Sequence, residues 1–156
     1  MGKVCVVTGG GSGMGLAAAK FMPKDRIIVV SGRTESKLTK AVEELKEAGF
    51  EAYAKSCDTS KRESVKALAE YAASLGEIIN VIHAAGVSPA MNVTMEDILR
   101  INALGTVYVN QEFAKLMHKG SVIIDIASMS AYAMPELMLP KKAYPLAETD
   151  EALFIK

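Results

Sequence analysis

The densest chemistry in the chain is a run of glycines near its start, Thr8-Gly9-Gly10-Gly11-Ser12-Gly13-Met14-Gly15. It follows a short apolar run, Lys3 to Thr8, and opens a stretch that reads as a helix. Glycines permit a tight turn and let backbone approach a ligand closely. Free amides at the helix start then face an anion, and a pyrophosphate is the anion such a turn fits. A glycine-rich turn without a ligand is the plainer alternative; placement between a first strand and a first helix favours binding. Metal chemistry is not expected, because His83 and His118 lie far apart without other ligands beside them. Cys5 and Cys57 form no Cys-x-x-Cys motif and are expected as buried, reduced thiols.

The elements that must position this turn alternate. Strand-like runs cover Lys3 to Thr8, Arg26 to Ser31, Glu51 to Cys57, Ile78 to His83 and Ser121 to Ile126. Helices are expected over Met14 to Met22 and over Glu35 to Ala48, whose apolar stripe is Leu38, Ala41, Val42 and Leu45. A capping box of Ser60 and Glu63 predicts a third helix running to Leu75. Thr94 and Asp97 mark a fourth, continuing to His118 with a break near Asn102. This order implies an α/β fold, a Rossmann-like doubly wound parallel sheet with right-handed crossovers. Residues 1–130 form the expected dinucleotide-binding domain. From Ala131 onward prolines break the pattern, and residues 131–156 are an irregular tail with a helix near Leu146 to Ile155.

Composition narrows the classes. Eighteen basic residues balance 18 acidic ones, and half of the 156 residues are hydrophobic. No basic stripe interleaved with aromatics points to nucleic acid, and no apolar run is long enough for a membrane span. With no leader peptide in view, a cytoplasmic location is expected.

The glycine spacing resembles the Thr-Gly-x-x-x-Gly-x-Gly fingerprint of the short-chain dehydrogenase/reductase family, with Gly9, Gly13 and Gly15 as its glycines. Further matches follow in order. Asp58, after the third strand, resembles an acid that contacts the adenine ring. His83-Ala84-Ala85-Gly86 resembles the family's Asn-Ala-Ala-Gly. Asn102 resembles the asparagine, and Ser128 the serine, of the catalytic tetrad. The resemblance runs from Val4 to about Ser130. It implies cofactor contacts from Thr8, Gly9, Gly11, Ser12, Gly13, Met14, Gly15, Cys57, Asp58, Thr59, Ala84, Ala85 and Gly86. The serine would hold a substrate oxygen, and the asparagine would support a water linked to a lysine. Two plainer readings stand beside these. His83 is a strand-end residue bonded locally rather than a catalytic base, and Asp58 can also serve as a charge at a helix start.

Cofactor choice turns on the second strand's end, Ser31-Gly32-Arg33-Thr34. NAD-binding domains place an acid there for the ribose hydroxyls. Here the acid position is Gly32, and Arg33 follows. A guanidinium pairs with a ribose 2′-phosphate that a carboxylate would repel. NADP(H) is therefore expected rather than NAD(H), with Ser31, Arg33 and Thr34 as phosphate contacts. Glu35 is better explained as a first-turn helix acid.

The family's remaining pair, a tyrosine with a lysine four residues later, is not found. Tyr132 is followed at that spacing by Glu136, and Tyr144 by Glu148; both read as ordinary, partly buried aromatics. With five strands where such sheets have at least six, the carboxy-terminal strands are missing and the fifth strand is an uncovered edge. The chain is therefore expected to be the amino-terminal part of a longer reductase of small carbonyl or alcohol substrates, inactive by itself, with the tail as an insertion near the substrate site. A non-catalytic dinucleotide-binding module or sensor is the alternative. The methionines of the tail suit an apolar pocket or ordinary core filling. The resemblance further implies a dimer or tetramer, with Ala103 to Met117 as one candidate surface.

Overall fold

The computed structural model describes residues 2–129, 133 and 135–156. Five parallel strands form one sheet in the order β3-β2-β1-β4-β5: β1 Lys3–Thr8, β2 Arg26–Gly32, β3 Glu51–Ser56, β4 Glu77–His83 and β5 Val122–Asp125. The central strands are apolar on both faces because helices cover both. Successive side chains alternate, so Val4 and Val6 enter one core and Cys5 and Val7 the other.

On the first face lie α3 (Arg62–Leu75) and α5 (Gly105–Ala114), contributing Val65, Leu68, Ala69, Tyr108, Val109 and Phe113. On the second face lie α1 (Gly13–Lys20) and α2 (Glu35–Glu47). Leu38, Ala41 and Leu45 of α2 recur at helical spacing and are buried, while the rest of the helix is largely polar. The strand order reverses between β1 and β4. The carboxyl ends of those two strands are therefore where the fold opens a crevice.

Several local expectations are corrected. Ser60 and Glu63 form no capping box: α3 starts at Arg62, and Ser60 instead bonds Asp58 through its N–H (3.1 Å) and hydroxyl (2.7 Å). A short polar side chain thus satisfies the turn rather than the helix. The Thr94–Asp97 box does form, with Thr94 Oγ1 accepting from the Asp97 N–H at 3.0 Å. The break near Asn102 is a widened turn, not an interruption. Helix α4 (Met95–Ile98) passes through a π-helical stretch, Leu99–Leu104, straight into α5. The Gly105 N–H there reaches back five residues to the Arg100 carbonyl. Helix α5 ends at Ala114 rather than His118. The tail carries two short helices, α6 (Leu146–Thr149) and α7 (Glu151–Ile155), divided at Asp150, whose carboxylate caps the second.

Tyr144 is half-exposed; Tyr132 and Met134 lie outside the described residues. Ala147 joins the first core, and Phe154 and Ile155 pack against it. Strand β5 shows the expected open edge, with Val122, Ile124 and Ile126 all about half-exposed.

Candidate functional site

The glycine turn links β1 to α1 and takes its shape from two close approaches. Gly9 has φ +67°, and a Cβ built there would sit 2.7 Å from the Ala84 carbonyl oxygen at the end of β4. The turns after β1 and β4 are therefore in backbone contact, which only glycine permits. A Cβ on Gly15 would lie 2.6 Å from the Gly9 carbonyl, so helix α1 sits directly against the turn. Ser12 at the N-cap makes no side-chain cap bond, which leaves the first amides of α1 to an outside acceptor. Adding a side chain at Gly13 would meet nothing within 4 Å.

A cleft of about 340 Å³ opens over this turn. The structure brings to its wall Gly9, Gly11, Ser12 and Met14 from the turn, Ser31 from β2, and Arg33 and Thr34 just after it. Cys57, Asp58 and Thr59 after β3, and Ala84, Ala85 and Gly86 after β4, complete the expected set. Thr8 and Gly15 are buried and Gly13 is exposed; none of the three lines the wall. Thr8 is fully buried and its hydroxyl accepts the Ala85 N–H at 3.2 Å. Sequence reasoning missed Gly32, Lys37, Leu38, Val87, Met91 and Ile101, which also line the cleft. Lys37 stands four residues after Arg33 on the first turn of α2, the end that faces the cleft.

The polar interior of the cleft has one loose end. Ser31 Oγ is buried and has no hydrogen-bond partner among the described residues. A buried hydroxyl without a partner costs free energy unless a ligand or water supplies one. Close-packed glycines, uncapped helix amides, a lone hydroxyl and two cations at one end make a donor set that fits a phosphorylated dinucleotide.

Asn102 and Ser128 lie outside the cleft wall. Asn102 sits in the π-helical stretch and grips the loop after β4 from both sides of its amide. Oδ1 accepts the Val87 N–H at 2.9 Å, and Nδ2 donates to the Val87 carbonyl at 2.8 Å. Ser128 follows β5 by three residues and is exposed. His83 is bonded locally, as expected: Nδ1 is 2.7 Å from Thr8 Oγ1 and Nε2 is 3.1 Å from Thr106 Oγ1. Burial lowers its pKa below 6.5, against an opposing pull from Asp125. Asp58 serves its own turn, as described, and also faces the cleft. Cys5 and Cys57 are buried and free; burial pushes the Cys5 thiol up to about 12 and raises that of Cys57. No cluster of metal-binding side chains occurs among the described residues.

A doubly wound parallel sheet with a glycine turn at its switch point defines a dinucleotide-fold protein. Its family follows from comparison: the short chain dehydrogenase profile matches residues 3–140, and the chain belongs to that family of oxidoreductases. A short-chain dehydrogenase/reductase of Alternaria brassicicola is 30% identical over 136 residues, which are 87% of this chain and 49% of that protein. The 7alpha-hydroxysteroid dehydrogenase of Escherichia coli is 33% identical over 139 residues, 83% of this chain and 54% of the relative. A solved Burkholderia phymatum family member in complex with NAD superposes with a TM-score of 0.69 at 27% identity, covering 86% of this chain and 52% of its own. The chain thus spans about half the length of the relatives it matches.

Proposed function

We propose that residues 1–130 form the NADP(H)-binding domain of an oxidoreductase that moves hydride between the cofactor and a small carbonyl or alcohol substrate. The observation that carries the cofactor choice is the end of β2. Gly32 stands where a ribose-binding carboxylate would be, and Arg33, Thr34 and Lys37 line the cleft beside it. Two cations there favour a 2′-phosphate over a bare hydroxyl. The amides opening α1 would hold the diphosphate, and Ser31 Oγ would donate its unused bond to the adenosine end. When bound, the nicotinamide supplies the hydride.

This chain's own residues supply the rest of the reading. The Asn102 grip on Val87 would steady the loop after β4 at the cleft wall, and Ser128 would hold a substrate oxygen, the role that the family resemblance implies. Helices α6 and α7 both touch the π-helical stretch, which supports reading residues 131–156 as an insertion beside the substrate site. None of the chain's five tyrosines has a lysine four residues on, so residues 1–156 alone are expected to bind dinucleotide without turnover. The same observation favours the second reading, a dinucleotide-binding module or sensor. Buried free thiols fit a cytoplasmic setting, and no described helix is long and apolar enough to cross a membrane. Assembly into a dimer or tetramer is part of the proposal.

Calorimetric titration with NADPH and NADH tests it. NADPH should bind at least about tenfold more tightly, the worth of one charge-assisted pair, and Arg33→Asp should reverse the order. Tighter NADH binding by the unaltered chain would overturn the cofactor assignment. A carbonyl-reduction assay of residues 1–156 should give no turnover; measurable turnover would contradict the expected inactivity.

A further inference from the structure

The geometry points to His83 as a positioning residue that ties the glycine turn to the helix turn carrying Asn102, through a chain of hydrogen bonds whose protons have only one consistent order. The relevance of this link to hydride transfer rests on the function proposed above; the link itself does not.

The order follows from donors and acceptors. Thr106 Oγ1 lies 2.7 Å from the Asn102 carbonyl, which can only accept, so the Thr106 hydroxyl hydrogen is spent there. Thr106 must then accept from His83 Nε2, 3.1 Å away, and Nε2 carries a hydrogen. In the neutral ring Nδ1 is left as an acceptor, and it takes the Thr8 hydroxyl hydrogen at 2.7 Å. Thr8 Oγ1 in turn accepts the Ala85 N–H. The chain reads from Ala85 through Thr8, His83 and Thr106 to the backbone of Asn102, each hydrogen pointing the same way.

This arrangement has a specific location. Thr8 precedes Gly9, whose approach to Ala84 shapes the cleft. At the other end, the Asn102 carbonyl lies inside the π-helical stretch and accepts the hydroxyl of Thr106, four residues on. The Asn102 amide then holds Val87, a residue of the cleft wall. An asparagine at position 83 is too short to reach Thr8 and Thr106 together, whereas imidazole has a nitrogen on each side. Protonating His83 would set an Nδ1 hydrogen against the Thr8 hydroxyl and break the order. Burial keeps the ring neutral at pH 7; Asp125, paired with His83 in register on β5, pulls the other way. Thr8, Thr106 and Asn110, the last bonded to Asp125 at 2.9 Å, carry no charge.

Two measurements on the whole chain, without dinucleotide, test the link. In nitrogen NMR of labelled histidine, His83 should show the Nε2–H tautomer at pH 7.5, and its protonation below pH 6.5 should move the Asn102 side-chain amide signals in step. An Nδ1–H tautomer, or Asn102 signals indifferent to His83 titration, would overturn the proposal. In hydrogen exchange, His83→Asn should speed exchange of the Val87 amide about tenfold, the loss of one hydrogen bond of ordinary strength, with the Val6 and Val29 amides unchanged. Thr106→Val should do the same, and the double variant should be no faster than either. A wild-type Val87 rate in both single variants would refute the link. If His83→Asn does not fold, Thr106→Val and the tautomer decide the matter. Loss of dinucleotide binding with these results intact would sink the proposed function and leave the link standing.

Discussion

Replacing Gly9 by alanine probes the contact on which the cleft depends. Gly9 has φ +67°, and an alanine there costs about 1–2 kcal/mol for its left-handed backbone alone. The added methyl would also lie 2.7 Å from the Ala84 carbonyl oxygen, 2.8 Å from its carbonyl carbon and 2.8 Å from the Ala85 nitrogen. All three are backbone atoms, so the turns after β1 and β4 must separate, at about 1–3 kcal/mol for forced repacking. The total is about 2–5 kcal/mol, which at roughly 2–4 °C per kcal/mol lowers the Tm by about 10 °C. Gly49→Ala is the matched control: Gly49 has φ +84°, but its added methyl would meet nothing within 4 Å. It should lose only about 1–2 kcal/mol. Urea unfolding followed by circular dichroism gives both values. Dinucleotide titration at low temperature should then show Gly9→Ala weakened about tenfold or more, since displaced bonds to a charged group contribute about 1.5–3 kcal/mol each, and Gly49→Ala unchanged. Equal destabilisation by the two variants, with dinucleotide binding intact in both, would refute the claim that the two turns are pressed together to build the cleft.

Other outcomes follow from the same structure. Phe113→Ala, at a fully buried site between α5 and the sheet, should cost about 3–5 kcal/mol by urea unfolding. Glu112 is a buried carboxylate held below its ordinary 4.5, first by Lys115 at 2.6 Å and then by Arg62 at 2.9 Å. A lowered acid contributes stability above its unfolded value and loses it as pH falls through the folded one. The urea midpoint should therefore fall below pH 4.5, and Glu112→Gln should flatten that part of the profile. Cys5 and Cys57, buried with raised thiols, should resist a thiol reagent at pH 8 in the native chain and react at once in denaturant. Either cysteine reacting rapidly in the folded chain would contradict that burial.

The sheet was legible because its signal is local and redundant. Valine- and isoleucine-rich runs bounded by glycine and polar residues located four strands, the weaker alternating run from Glu51 to Cys57 located β3, and only the ends moved by a residue or so. The glycine turn was legible because a fixed spacing carries a steric demand, met at Gly9 and Gly15. What escaped depends on partners remote in sequence. Ser60 and Glu63 match a capping box, but Asp58 bonds Ser60 first. Near Asn102 no proline or glycine precedes the widened turn, so nothing in the residues themselves distinguishes a π-helical stretch from a break. Lys37 was passed over because its place at the cleft emerges only when α2 is set against the glycine turn; a Cβ on Gly11 would lie 3.2 Å from Lys37 Cβ. Likewise the contact between Tyr108, buried in the first core, and Glu151 of α7, whose carboxylate accepts its hydroxyl at 2.6 Å, joins residues 43 positions apart.

The most direct test of the function is a crystal structure of this chain with saturating NADPH. Density for the diphosphate against the first amides of α1, with the 2′-phosphate between Arg33 and Lys37, is the expected result. A glycine turn left bare at saturating nucleotide, or a nucleotide seated away from Arg33, would contradict it.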